Sequence, residues 1–320
     1  MGEGMTTPAR LRVAGPHEVV PLIPLILGFH PHNCVVAVLL GPEGVMAMRF
    51  PPESDLAERI DYVERMAARE HCEIVVIGGF GDGMDGAAAV LFLGLTNLAA
   101  AAFSIEGEQW ELVGTNMPEV PESGPYQPAG IEGVADLADV MPSREASVAA
   151  ATPGCLVTDE QEAEDLWHQA RDYWQDRPRA ERMAQLLWIL DDFEADTWVL
   201  SGAEAAELTV LISDKAVRDL PVVRLTTDTA ETYLDLWGQV AQLVPAGQAA
   251  DALCLVALSG WLTGNGALAN DALESCLAHH PHHELAGLLW QAEMFQTPPR
   301  TWEQQRQEIA ASMFARAAHQ

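Results

Sequence analysis

Apolar residues follow two different rhythms along this chain. In the first third they come as short continuous runs, CVVAVLL at Cys34–Leu40 and CEIVVIGGF at Cys72–Phe80. Valine-rich runs of strand length are what a strand buried on both faces requires. The first run meets GPEG and then VMAMRF, a turn with a returning partner, so Cys34–Phe50 predicts a hairpin. Between the runs, SDLAERIDYVERMAARE sets Leu56, Ile60, Val63, Met66 and Ala67 on one helical stripe behind Ser54 or Asp55 as cap. Upstream, Leu11–Gly15 predicts a short strand. Pro16 and His17 then open a helix through Ile26, kinked by Pro24 and stopped by Gly28. MDGAAAVLFLGLTNLAAA, from Met84, predicts an apolar helix weakened by Gly94, and Ala102–Leu112 predicts a last strand or hairpin. Strands alternating with helices predict an α/β domain with a mixed sheet over residues 1–118.

The rhythm then breaks. Met117–Pro128, MPEVPESGPYQP, carries four prolines and no period, and a short helix is expected at Gly130–Val140 before Pro153-Gly154 interrupts the chain again. Residues 119–157 therefore read as a proline-rich linker. From Thr158 onward the apolar spacing is helical, which predicts an all-α domain over 158–320 and an α+β or α/β fold class for the whole. Eight of the nine tryptophans fall here, among them Trp167, Trp174, Trp188, Trp237, Trp261 and Trp290, and such spacing assigns them to a core. GNGALANDALESCLAHHP places Gly264, Ala269, Ala272, Cys276, Leu277 and Pro281 in the register of a tetratricopeptide helix pair, within 247–296. One such repeat makes a supersecondary unit inside a bundle, not a solenoid.

Composition narrows the role. The chain of 320 residues is 49% hydrophobic, enough for a sizeable core, and its formal net charge is −30. That charge is spread along the sequence, and so much negative charge repels phosphate backbones and anionic lipid. Direct nucleic-acid binding and membrane association are not expected. No apolar run is long enough to span a bilayer, and no secretory signal pattern opens the chain. Five widely spaced cysteines argue against a disulfide framework and for a reducing cytoplasm.

Three stretches carry reactive residues. In LGFHPHNC, residues His30, His32 and Cys34 alternate as zinc ligands on a strand would, but Pro31 and Gly28 put them in a helix-to-strand turn, and no fourth ligand follows at a recognisable spacing. These three are weak metal candidates; no metal or cofactor is expected. HHPHH (His279, His280, His282, His283) looks like a metal tract, yet it closes one helix and opens the next, where imidazoles cap carbonyls. GGFGDGMDG follows a strand and opens a helix, the setting in which backbone amides hold a phosphate. Gly78, Gly79, Gly81, Asp82 and Asp85 form the candidate ligand loop. It lacks the Lys-Ser/Thr of a P-loop, and its two aspartates repel phosphate unless a cation such as Mg²⁺ intervenes. The common catalytic signatures, Gly-x-Ser-x-Gly, HExxH and CxxC, are missing, so no catalytic residue is assigned.

The ordered motifs carry a resemblance. LRVAGPHEVVPLIPLILGFHPHNCVVAVLL, with Leu27, Gly28, Phe29, Pro31, Val35 and Val36, resembles the N-terminal signature of the DUF4192 family of domains of unknown function. MPSREA, VRDL and GWLTGNGALANDALESCLAHHP extend the likeness over nearly the whole chain. Members often carry a cysteine before the Ser-Arg-Glu motif; here Gln109–Gly130 has none. The resemblance implies an architecture and a setting in actinobacteria and their phages. It brings no activity. The leading expectation is a non-catalytic interaction or regulatory protein whose partner is another protein, with a homo-oligomer left open. The alternative is a small-molecule or nucleotide-binding enzyme using the Gly78–Gly86 loop, with Mg²⁺ on its aspartates; an acidic DNA mimic comes third.

Overall fold

The computed structural model describes residues 13–42, 44–52, 55–129, 140–291 and 301–317. The chain divides into two compact units, Met1–Ala146 and Ser147–Gln320.

The first unit is built on six strands, β1 (Cys34–Gly41), β2 (Gly44–Phe50), β3 (Ile74–Phe80), β4 (Ala99–Glu106), β5 (Gln109–Thr115) and β6 (Ser123–Pro125). They lie in the order β2-β1-β3-β4-β5-β6, and the one parallel pair, β3 with β4, makes the sheet mixed. Helix α2 (Leu56–Arg69) joins β2 to β3, and α3 (Met84–Gly94) makes the crossover that a parallel pair demands. Successive residues of β1 point to opposite faces. Val35, Ala37 and Leu39 share a core with α2 and α3 residues such as Val63 and Leu91, whereas Val36 and Val38 pack with Val20, Ile23, Phe103 and Trp110. Burial on both faces is the reason this strand is written without polar residues. Asp55 caps α2 by accepting from the Ala57 and Glu58 amides.

The structure departs from the sequence reading in four places here. The helix expected over 16–26 is two 3₁₀ turns, Pro16–Glu18 and Val20–Leu22, followed by α1 (Ile23–Leu27). Pro21 and Pro24 have no amide hydrogen to continue an α ladder. The helix from Met84 stops at Gly94, and Ala99–Ala102 enter β4, where pairing with β3 and β5 overrides alanine's preference for helix. Gly94 also lets α3 lie against α2, since a Cβ there would sit 2.2 Å from Ile60 Cδ1. Within the proline-rich stretch, β6 pairs with β5. Of the strand expected at Leu11–Gly15, Leu11 and Arg12 lie outside the described residues and Val13–Gly15 are not in a strand; residues 130–139 of the expected short helix also lie outside.

After α4 (Arg144–Ser147), the second unit is helical: α5 (Glu160–Trp174), α6 (Arg179–Ala195), α7 (Gly202–Ile212), α8 (Lys215–Arg224), α9 (Ala230–Leu243), α10 (Ala250–Leu262), α11 (Gly266–His279), α12 (Glu284–Gln291) and α13 (Trp302–Ala317). Its axis is α10, in which every residue but Asp251 is buried. A helix apolar all round belongs at the centre of a core. α10 and α11 are joined by a three-residue turn, and Gly260 brings α11 close, its absent Cβ 3.3 Å from Leu268. Trp174, Trp237, Trp261 and Trp302 are buried as their spacing predicts. Trp188 and Trp290 are not: they are 61% and 48% exposed, because they lie on the outward faces of α6 and α12.

Candidate metal centre

At one end of α10 the backbone fixes three donors. Cys254 lies one turn after Asp251 on α10, and α11, running back from its turn, sets Cys276 opposite. Their sulfurs are 4.0 Å apart. His283 immediately precedes α12 and acts as its cap: its carbonyl accepts from the Gly287 amide at 2.9 Å, and its Nδ1 from the Ala286 amide at 3.2 Å. The same Nδ1 is 3.6 Å from Cys254 Sγ. The ligand atoms of Cys254, Cys276 and His283 all lie within 4.8 Å of one another, and among the described residues this is the one group of three or more such side chains that could hold an ion.

The surroundings fix the donors' states. His283 Nε2 donates to Asp251 Oδ1 at 3.2 Å, and Asp251 is also paired with Arg218 of α8. The Asp251 hydrogen bond, with help from Cys276, raises the His283 imidazole above its ordinary value. Burial pushes the Asp251 carboxyl up, yet His283 and Arg218 together leave it below its usual range. The hydrogen bond from Cys254 pulls the Cys276 thiol down against burial, with His283 assisting; the same bond and burial push Cys254 up. Cys276 is thus the sulfur that gives up its proton first, and thiolate is the form that binds metal.

Sulfur, imidazole and carboxylate in a row are also the parts of a thiol nucleophile with its base and orienting group. Here both sulfurs are 0% exposed. A substrate carbonyl has no open approach to them, and of the three donors only the His283 side chain, 15% exposed, reaches the surface.

The sequence candidates lie elsewhere. Cys34 begins β1, buried opposite Phe80, and burial pushes its thiol up. His30 uses its amide to reach the Met141 carbonyl at 3.0 Å, and His32 is exposed. Their side chains and Cys34 are not gathered into a cluster. In the glycine loop, Gly78 and Gly79 belong to β3, Gly81 and Gly83 have φ of +99° and +74°, and Asp82 and Asp85 are exposed. Gly83 provides no side-chain cap to α3. Within HHPHH, His279 Nδ1 meets the Ser275 carbonyl at 2.9 Å and His280 Nε2 the Gly247 carbonyl at 2.8 Å, so these rings are spent on capping and bracing.

Sequence reasoning placed Cys276 in a helix pair and His283 in a capping tract without joining them. The available signal was Asp251, the one charge in ADALCLVALSGWL, with Cys254 one turn further on.

A family model for a domain of unknown function (DUF4192) matches residues 16–300. No curated protein and no solved structure matches the chain.

Proposed function

Because this chain belongs to the DUF4192 family, a grouping that carries no activity with it, we propose its role from its own geometry: a non-catalytic regulatory protein that binds another protein through its helical unit. The observation that carries this reading is Trp188, an indole left 61% exposed on α6. Covering a large ring is worth roughly 2–3 kcal/mol, and tryptophan is the residue most enriched where partners contribute binding energy. Tyr173 at 56% and Val199 at 86% exposure add apolar surface to the same unit. With a net charge of −30, the fitting partner presents a basic rim around an apolar pocket. The sealed sulfurs of Cys254 and Cys276 support a role without covalent catalysis. Five free cysteines support a cytoplasmic setting, in an actinobacterium or a cell infected by its phage.

The test is a photo-crosslinking amino acid placed at Trp188, compared with the same group at Glu111 on β5 of the first unit. A discrete adduct formed from position 188 alone supports the reading. Identical adduct patterns from both positions, or none from 188, sink it. An adducted DNA-binding protein that duplex DNA competes away would put the acidic-mimic reading in its place.

A further inference from the structure

We propose that Cys254 Sγ, Cys276 Sγ and His283 Nδ1 are the protein ligands of a zinc(II) ion that ties α10, α11 and α12 together, with water on the fourth corner. This goes beyond partner binding and does not depend on it.

The spacing comes first. A tetrahedral zinc ion with its usual bond lengths separates two sulfurs by about 3.8 Å and a sulfur from an imidazole nitrogen by about 3.6 Å. The protein holds the corresponding pairs at 4.0 Å and 3.6 Å, and the third pair within 4.8 Å. Small rotations of two side chains complete the triangle.

Chemical form comes second. An imidazole ligates through an unprotonated nitrogen, and which nitrogen is free depends on what the other one holds. Asp251 takes the Nε2 hydrogen of His283, which leaves Nδ1, 3.6 Å from Cys254 Sγ, as the nitrogen free to ligate. A carboxylate behind a histidine ligand is the arrangement that orients such rings and raises their basicity. Arg218 in turn anchors Asp251. The Ala286 amide, 3.2 Å from Nδ1, shares that lone pair in the metal-free state and gives it up to the ion.

Donor type comes third. Two thiolates and one imidazole are a soft set, suited to zinc and poorly matched to magnesium or calcium. Binding releases protons, because both sulfurs end as thiolates and Nδ1 ends bare.

The full chain, stripped with a chelator under reducing conditions, is titrated with Co²⁺ as a visible stand-in for Zn²⁺. One equivalent is expected to give sulfur-to-cobalt charge-transfer absorption and the d–d bands of a tetrahedral ion. Both features are lost in Cys254→Ser, Cys276→Ser and His283→Ala, and kept in the double variant His279→Ala, His282→Ala. Since ligand variants can fail to fold, the wild type supplies a second readout. In mild denaturant one equivalent of Zn²⁺ is expected to protect two thiols, Cys254 and Cys276, from alkylation while Cys155 is still modified. The proposal is overturned if the wild type shows no charge-transfer band, if the band survives loss of either cysteine, if it vanishes in the His279/His282 double variant, or if Zn²⁺ leaves the alkylation pattern unchanged.

Discussion

His283 Nε2 stands 3.2 Å from Asp251 Oδ1, and this contact decides which ring nitrogen looks toward the sulfurs. Asp251→Asn keeps the shape of that neighbour and removes its charge. Metal affinity is expected to fall about 10- to 100-fold, the usual consequence of losing an orienting carboxylate, as measured by competition with a chromophoric chelator. Asp251→Ala goes further. It strands the buried Arg218 guanidinium, so stability falls by about 3 kcal/mol in urea titrations, the low end for breaking a buried pair.

Thiol accessibility gives a separate check. Cys155 is exposed and the other four cysteines are buried. A disulfide reagent is expected to titrate one thiol rapidly in the native protein and five after denaturation. In Cys155→Ser the fast phase disappears. Rapid reaction of a second thiol would mean that one of the four buried sites opens readily.

Acid stability turns on Asp214, which caps α8 through the Ala216 amide and pairs with Arg179 and Arg182 at 3.2 Å and 2.8 Å. Burial pushes its carboxyl up, but the amide and the two guanidinium groups outweigh that and hold it below the usual 3.8. The folded state therefore binds fewer protons than the unfolded one through this window. The contribution is complete above 3.8 and disappears as the pH falls through the lower folded value. Asp214→Asn, which retains a capping side chain, is expected to cost about 0.5–1 kcal/mol at neutral pH. Urea midpoints of variant and wild type should converge as the solution is acidified; a constant gap would refute this account.

The glycine loop can be read by two substitutions with opposite outcomes. A Cβ at Gly79 would sit 2.6 Å from the Met84 carbonyl oxygen, which backbone cannot easily yield. Gly79→Ala is expected to destabilise by about 1–3 kcal/mol. Gly86, within α3, has nothing within 4 Å of that position. Gly86→Ala should stabilise by about 0.5–1 kcal/mol, because alanine favours helix and narrows the unfolded ensemble. Thermal unfolding of both variants distinguishes packing glycines from merely permissive ones.

Much of the first unit was legible because burial on both faces leaves no room for polar residues in β1 and β3. The end of α3 was not, since Ala99–Ala102 prefer helix in isolation and become strand only between β3 and β5. Gly28, expected from its type to stop the first helix, closes α1 at φ +77°. The metal centre was the least visible part. Its donors sit 22 and 29 residues from Cys254 and meet only through the pairing of α10 with α11 and the entry angle of α12. No local spacing encodes such an encounter. The exposure of Trp188 was equally hidden, because periodicity reports that a face is apolar and not that a neighbour covers it.

The position of α10 has a consequence for biogenesis. Translation delivers α7, α8 and α9 before the apolar rod they surround, so their inward surfaces wait uncovered while residues 250–262 are still being made. A ribosome-stalled chain ending near Ala249 would be the species most prone to clump and the one a chaperone would hold longest.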